Sequence, residues 1–372
     1  MSKPLRTLFL VPSLGQGGAE AQLVNLANGV DAGRFKKHLV CIETQHDNLD
    51  DLDQDSVAFF HMPRRSKYDR TLITRLADFI NENHIQVIHA TLLLSGYIAW
   101  AAIKKSRSDC KLVIAIHSTK SRTLKTELIY RVLYMRSLKS ASKLIFVSDG
   151  QRQYWLSKYP WMEAKSLTVH NGINPQDFIR EAHQDEGRQL LEQHHIDASK
   201  PVISVIAAFR TEKNHDLIIK AIHNLEQDVT LCLAGGGSLQ ANAEQLVEEL
   251  GLQERVIFLG RLNDVRPLLA VSTLTLLVSK SEAFSMAMLE SLCMQVPMLA
   301  SDVGGLSEAV IPGETGELIA PNDVDAITDG IARMLSNPAK LAEMGRQGRK
   351  LVEDRFTTRM MIDAISNVME DS

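Results

Sequence analysis

Short apolar runs alternate along this chain with longer amphipathic stretches, and the series runs twice. The first comprises "TLFLV", "HLVCI", "VIHA", "KLVIAIH", "KLIFVS" and "SLTVHNGI". After the polar segment "REAHQDEGRQLLEQHHIDASK" it restarts with "VISVIAAF", "TLCLAGGG", "VIFLG", "LTLLVS" and "PMLAS". Strands that are apolar on both faces belong in a parallel sheet covered by helices on each side. Crossovers in such a sheet are right-handed. Two series therefore predict an α/β protein of two doubly wound parallel-sheet domains, and 372 residues suit two cores better than one. We place the first domain at residues 1–183 and the second at 184–354. Helical spacing of Met361, Ile362, Ile365 and Val368 predicts a last helix, about 355–372, that packs back on the first domain. Ligands of such sheets bind outside the carboxyl ends of the strands, so two facing sheets define one cleft.

Composition sets the class of environment. No run approaches the roughly 20 apolar residues of a membrane span. The early "LFLV" breaks at Pro12 with no cleavage site, so it reads as a first strand rather than a signal peptide. Cys41, Cys110, Cys232 and Cys293 are widely spaced and form no C-x-x-C pair, which suits reduced thiols in a cytoplasmic protein. The formal net charge of −4 hides an asymmetry: residues 100–170 carry fourteen basic and four acidic side chains, a net of +10. That polarity points to an anionic partner, here the inner face of the cell membrane, or else to an ordinary solvated face. Nucleic acid is not an expected partner.

Four loops that follow predicted strands carry candidate binding residues, three of them with glycines. In "VPSLGQGGAEAQLVNLA", Gly15, Gly17 and Gly18 precede a helix starting near Ala19, where close backbone approach and a helix N-terminus favour phosphate. The spacing is neither G-x-G-x-x-G nor a P-loop, and a plain tight turn explains it equally well. In "AAFRTEKNHDLIIKA", Arg210 and Lys213 lie between strand and helix, as a forked and a point cation suited to a diphosphate. "LAGGGS", containing Gly235, and "FLGRL", containing Leu262, end two further strands, where exposed backbone can pair with a base edge.

The stretch "VSKSEAFSMAMLESL" sets Glu282 before a helix starting near Ser285 and Glu290 within it. The two carboxylates can be an acid/base pair, two ligands of one sugar-bearing molecule, or solvated charges. Free amides at the helix start suit a phosphate between them, with Glu290 accepting from a ribose diol and Glu282 from a hexose. The acidic triplets at Asp53–Asp55 and Asp323–Asp325 read as a polar loop and a helix cap rather than a metal site.

"SEAFSMAMLESL" resembles the E-x7-E signature of the retaining glycosyltransferases of family 4. Nearly the whole chain follows in order, with "GGAE", "IHS" at His117, "HNGI" at Asn171, "RTEKNH", "LAGGG", "FLG" and "SDVGGLSEAV". The resemblance implies the GT-B architecture, two Rossmann-like domains facing across a cleft. It implies a nucleotide-diphosphate sugar as donor substrate, a UDP-sugar first among them, with no cofactor and no metal. By it Gly17 and Gly18 face the donor diphosphate from one side, and Arg210 with Lys213 hold it from the other. Phe284, Ser285 and Met286 present backbone to sugar and phosphate, and Gly235 and Leu262 join the donor site. Glu290 binds ribose, Glu282 the transferred sugar, and His117 lies near sugar and acceptor. Three departures stand out: Arg210 is three rather than five positions before Lys213, Ala283 replaces a frequent glycine, and so does Gln295. The implied activity is retaining, metal-independent transfer to a lipid-linked glycan in surface polysaccharide synthesis, such as lipopolysaccharide, O-antigen or capsule. A nucleotide-sugar epimerase of the same fold and a non-catalytic nucleotide-sugar-binding subunit are the rivals.

Overall fold

The computed structural model of the chain describes residues 3–15, 17–45, 47–65, 69–117 and 133–372. Ser118 and the basic residues Lys120, Arg122, Lys125 and Arg131 lie outside them. Two compact units result, one of Met1–Gly172 with Thr358–Ser372, the other of Ile173–Thr357. Residues 173–183, assigned above to the first domain, belong to the second. The cause is Arg180, whose guanidinium donates to the carbonyls of Ala270, Ser272 and Gln295 at 3.0, 2.8 and 3.2 Å. Arg349 likewise donates to the Pro175 carbonyl, at 3.2 Å.

In the first unit β1 (Leu5–Val11), β2 (Phe35–Cys41), β3 (Val57–His61), β4 (Val87–Thr91), β5 (Lys111–Ile116), β6 (Lys143–Phe146) and β7 (Ser166–Thr168) form one parallel sheet, ordered β3-β2-β1-β4-β5-β6-β7. Side chains alternate between its faces. Leu8 and Leu10 join Ile88, Ile114 and the Leu76 and Ile80 of helix Arg70–Glu82 on one side. Phe9 and Val11 join Val113, Ile145 and the Leu23 and Ala27 of helix Gly18–Gly29 on the other. Helix Thr358–Glu370 lies on this second face, adding Met361, Ile365, Val368 and Met369 to its core. Arg34 clasps the helix end with a bidentate pair to Glu370, at 3.0 and 2.6 Å.

The second unit repeats the plan. β8 (Val202–Ile206), β9 (Thr230–Ala234), β10 (Val256–Gly260), β11 (Leu274–Leu277), β12 (Met298–Ser301) and β13 (Gly316–Ile319) run parallel in the order β10-β9-β8-β11-β12-β13. Ile203, Val205, Leu231 and Leu233 face the Ile218 and Ile222 of helix His215–Asn224, while Val202, Cys232 and Ala234 face Leu191 and Leu268. All four cysteines are free and buried in these cores. Burial pushes the Cys110 and Cys232 thiols up to about 12, as inert structural groups. Among the described residues no helix is long and apolar enough to cross a membrane.

Gln295 follows the helix Met286–Cys293 with φ 58°, the left-handed conformation that closes a helix C-terminus and suits glycine. Gln295→Gly is expected to stabilise the second unit by about 0.5–1 kcal/mol in chemical denaturation. An unchanged or lower midpoint would show that the glutamine side chain offsets its backbone strain.

Candidate functional site

Each sheet reverses strand order once, between β1 and β4 in the first unit and between β8 and β11 in the second. The loops that leave the carboxyl ends at a reversal diverge to opposite faces and open a crevice. In the second unit those loops are the ones carrying Arg210 with Lys213, and Glu282.

The loop after β8 is pinned to the glycine run after β9. Ala207 donates to Ala234 O at 3.0 Å and Phe209 to Gly236 O at 3.1 Å. Gly235 sits at φ 150°, and a Cβ there would collide with the Ala207 carbonyl, so only glycine permits this approach. Arg210 stands exposed at the start of the single turn Thr211–Lys213. Asn214, left-handed at φ 52°, ends that turn and begins the helix. His215 then stacks on Phe209 with centroids 4.1 Å apart. Burial, with the Lys213 charge next, drives it to about 4 and keeps it neutral.

Across the reversal Lys213 Nζ forms an ion pair with Glu282, and Ser279 Oγ donates to the same carboxylate oxygen at 2.9 Å. The two loops are also stitched by backbone, Lys280 N donating to Glu212 O at 2.8 Å. From the next strand, Gly304 at φ 59° lies so close to the Glu282 carbonyl that any Cβ would overlap it, and Gly305 N donates to Ala283 O at 3.1 Å. The glycines of "SDVGG" therefore fix the backbone that carries Glu282, a role the sequence reading did not assign.

Helix Met286–Cys293 starts from an extended Ser285 whose side chain makes no capping bond. Its first amides thus keep their donor capacity and positive partial charge for an anion. Phe284 is buried, with its ring 5.2 Å from that of Phe356. One turn into the helix lies Glu290. Burial and, second, the negative charge of Asp264 push its carboxyl up to about 7. Asp264 follows Leu262 in the loop after β10 and is held by Arg266 through bonds of 2.8 and 2.7 Å. The second unit so brings Arg210, Lys213, Gly235, Leu262, Glu282, Phe284, Ser285, Met286 and Glu290 to the carboxyl ends of β8–β11. Asp323, by contrast, caps its helix by accepting from Ala326 N at 3.0 Å, and Asp53 caps a loop through Asp55 N at 3.2 Å.

The first unit carries the remaining candidates after β1, at its own reversal, and after β5, one strand beyond it. Gly17 is the extended residue before helix Gly18–Gly29, and the Glu20 carboxylate folds back against it. Leu92, directly after β4, adopts φ 73° and ψ 155°, a strained conformation of the kind concentrated at functional loops. His117, at the end of β5, is driven by burial to about 4 and stays neutral. His89 of β4 is the residue that sequence reasoning passed over. The signal was a histidine inside the apolar run "VIHA", and it lies 2 % exposed in the sheet.

Comparisons with known proteins converge. Residues 16–177 match the family described as Glycosyltransferase Family 4, and residues 188–351 match Glycosyl transferases group 1. N-acetyl-alpha-D-glucosaminyl L-malate synthase of Bacillus anthracis is 26 % identical over 309 residues, 82 % of this chain and 79 % of its own. The lipopolysaccharide core biosynthesis mannosyltransferase LpcC of Rhizobium leguminosarum is 24 % identical over 65 % of this chain and 75 % of its own. Among solved structures, HepE of Anabaena in complex with UDP-glucose superposes with a TM-score of 0.87 at 20 % identity, covering 99 % of this chain and all of that one. With these matches and two doubly wound units, the chain belongs to glycosyltransferase family 4 and has the GT-B fold.

Proposed function

We propose that this glycosyltransferase takes a sugar from a nucleotide-diphosphate sugar, a UDP-sugar first, and delivers it with retention to a hydroxyl of a lipid-linked glycan. The observation that carries this reading is the Lys213–Glu282 pair at the β8/β11 reversal, beside an uncapped helix start. A cation, a free helix N-terminus and two flanking carboxylates match the phosphates and the two hydroxyl-bearing ends of a nucleotide sugar. In this reading donor phosphate competes with Glu282 for Lys213, freeing the carboxylate to accept from sugar hydroxyls. Arg210 and Lys213 then stabilise charge developing on the leaving diphosphate, which itself takes the proton of the incoming hydroxyl on the same face. These cations replace a divalent metal. Glu290 grips the ribose, and the first unit, with Gly17, Gly18 and His117, serves donor diphosphate and acceptor. HepE, solved with UDP and with UDP-glucose, supports the donor class. LpcC supports a surface-polysaccharide acceptor.

Membrane contact is part of the proposal. Among the described residues the basic stretch carries cation–aromatic pairs: Lys104 over Trp100 at 4.8 Å, and Lys139 and Lys165 over the exposed Trp161 at 5.9 and 5.3 Å. Tryptophan with lysine suits an anionic interface.

The test is a panel of UDP- and GDP-sugars offered with lipid-linked acceptors in excess chelator, read by mass and anomeric linkage analysis. We expect free UDP and an α-linked product from an α-linked donor. A new free nucleotide sugar formed from donor alone would identify an epimerase. Donor binding without turnover across the panel would identify a non-catalytic subunit.

A further inference from the structure

A small cavity of about 20 Å³ lies inside the first unit, at the carboxyl ends of β4, β5 and β6 beneath helix Gly18–Gly29. Its lining mixes apolar Leu26 and Ile365 with polar Gln22, His89, Thr91 and His117. Gln22, His89 and Thr91 are 3, 2 and 1 % exposed. The Gln22 amide is oriented by a bond in which its Oε1 accepts from Gly172 N at 3.0 Å. Its Nε2 therefore remains for the cavity, and neither it, nor either ring nitrogen of His89, nor Thr91 Oγ1 has a protein partner.

Buried polar groups left unmatched cost about 1–3 kcal/mol each, so a cavity with this many has a resident that matches them. About 10–15 Å³ suffices for one water, which typically makes three bonds in such a site. A sugar ring does not fit. Both imidazoles are neutral, since burial drives His89 to about 3 and His117 to about 4, and each presents one donor and one acceptor nitrogen.

We propose that one water, bound by Gln22 Nε2, His89 and Thr91 Oγ1, sits behind His117, and that His89 through it is a positioning residue that fixes the His117 tautomer. The water accepts from Gln22 Nε2 and from the Thr91 hydroxyl, donates one O–H to the bare nitrogen of His89, and has its second O–H left to donate to the His117 ring, which holds that nitrogen bare. A fixed tautomer decides whether His117 offers a substrate a donor or an acceptor. The consequence for turnover rests on the transferase reading above; the tautomer does not.

The experiment uses the full chain with ¹⁵N-labelled histidine, recording long-range ¹⁵N–¹H spectra of the imidazoles and water cross-peaks to the Gln22 amide at pH 7. In the wild type we expect one dominant His117 tautomer and a water cross-peak at Gln22. His89→Leu is expected to lose the cross-peak, to relax His117 to a tautomer mixture, and to lower kcat about 10-fold at unchanged donor KM. His89→Gln should restore the single tautomer. Thr91→Val is a milder second variant that keeps the test open if His89→Leu does not fold, and it should shift His117 in the same direction. An unchanged His117 tautomer in the folded variants, or no water at Gln22 in the wild type, overturns the assignment whatever the turnover.

Discussion

Lys213→Ala is expected to lower sugar transfer by about 10²–10³-fold in kcat, the scale of losing one preorganised charge on a developing anion. Lys213 is placed by a single turn ended at the left-handed Asn214, and it bridges the β8/β11 reversal to Glu282. In the proposed reaction its ammonium lies on the leaving diphosphate, where charge grows most between ground and transition state. The substitution also strips Glu282 of its Lys213 counter-ion, while the Ser279 hydroxyl at 2.9 Å stays in place. Breaking a fully buried pair costs about 3–5 kcal/mol. Here the two side chains keep 20 and 13 % exposure, so a loss of about 1–3 kcal/mol is expected. Lys213→Ala with Glu282→Gln separates the effects, because the double variant should recover the denaturation midpoint while turnover stays low. Wild-type turnover in folded Lys213→Ala would remove the cation from the mechanism.

Glu290→Gln is expected to move stability and donor affinity in opposite directions. The folded carboxyl titrates at about 7 against an ordinary 4.5. Between those values the unfolded chain releases the proton while the folded chain retains it, so stability falls as pH rises through this window and stays low above it. A shift of that size corresponds to roughly 3 kcal/mol, and the side chain's accessible margin brings the expectation to about 2 kcal/mol. Glutamine, which does not ionise, should be more stable than wild type by about that amount at pH 8 and nearly equal below pH 4.5. It should also bind UDP-sugar about 10–100-fold more weakly, because charge-assisted bonds to the ribose diol become neutral ones. Calorimetric titration beside denaturation at two pH values reads both. Equal donor affinity would take Glu290 out of the ribose site, and a pH-independent difference in stability would refute the cost of burying its charge.

The central strands were legible in the sequence because their residues are apolar on both faces. The edges were not. β3, "VAFFH", is a four-residue apolar run that buries only Val57, and β13, "GELI", has just two apolar side chains and is buried only at its ends, so each is too short or too mixed to mark a strand by pattern. The residue types of the site were legible as motifs after strands, whereas contacts between them depend on strand order. That Lys213 meets Glu282 follows from β8 lying beside β11, with β9 and β10 on the far side. No spacing along the chain encodes it. Likewise the pattern marked Glu290 as helical but not its enclosure beside Asp264, which comes from the neighbouring loop. His89 was hidden because an isolated polar residue in an apolar run resembles any satisfied core histidine.

Helix Thr358–Glu370 also sets a timetable for biosynthesis. The first unit is begun first and finished last, since the helix that supplies Met361, Ile365, Val368 and Met369 to its core leaves the ribosome after all of residues 173–357. At about 5–20 residues per second its second face, already carrying helix Gly18–Gly29, lacks helix Thr358–Glu370 for roughly 10–40 s, while the second unit emerges as one continuous segment. The nascent chain therefore leaves the part of this core that the helix closes open to chaperones throughout that interval. Removal of Thr358–Glu370 acts on the core of the first unit, not on the second unit that directly precedes it in the chain.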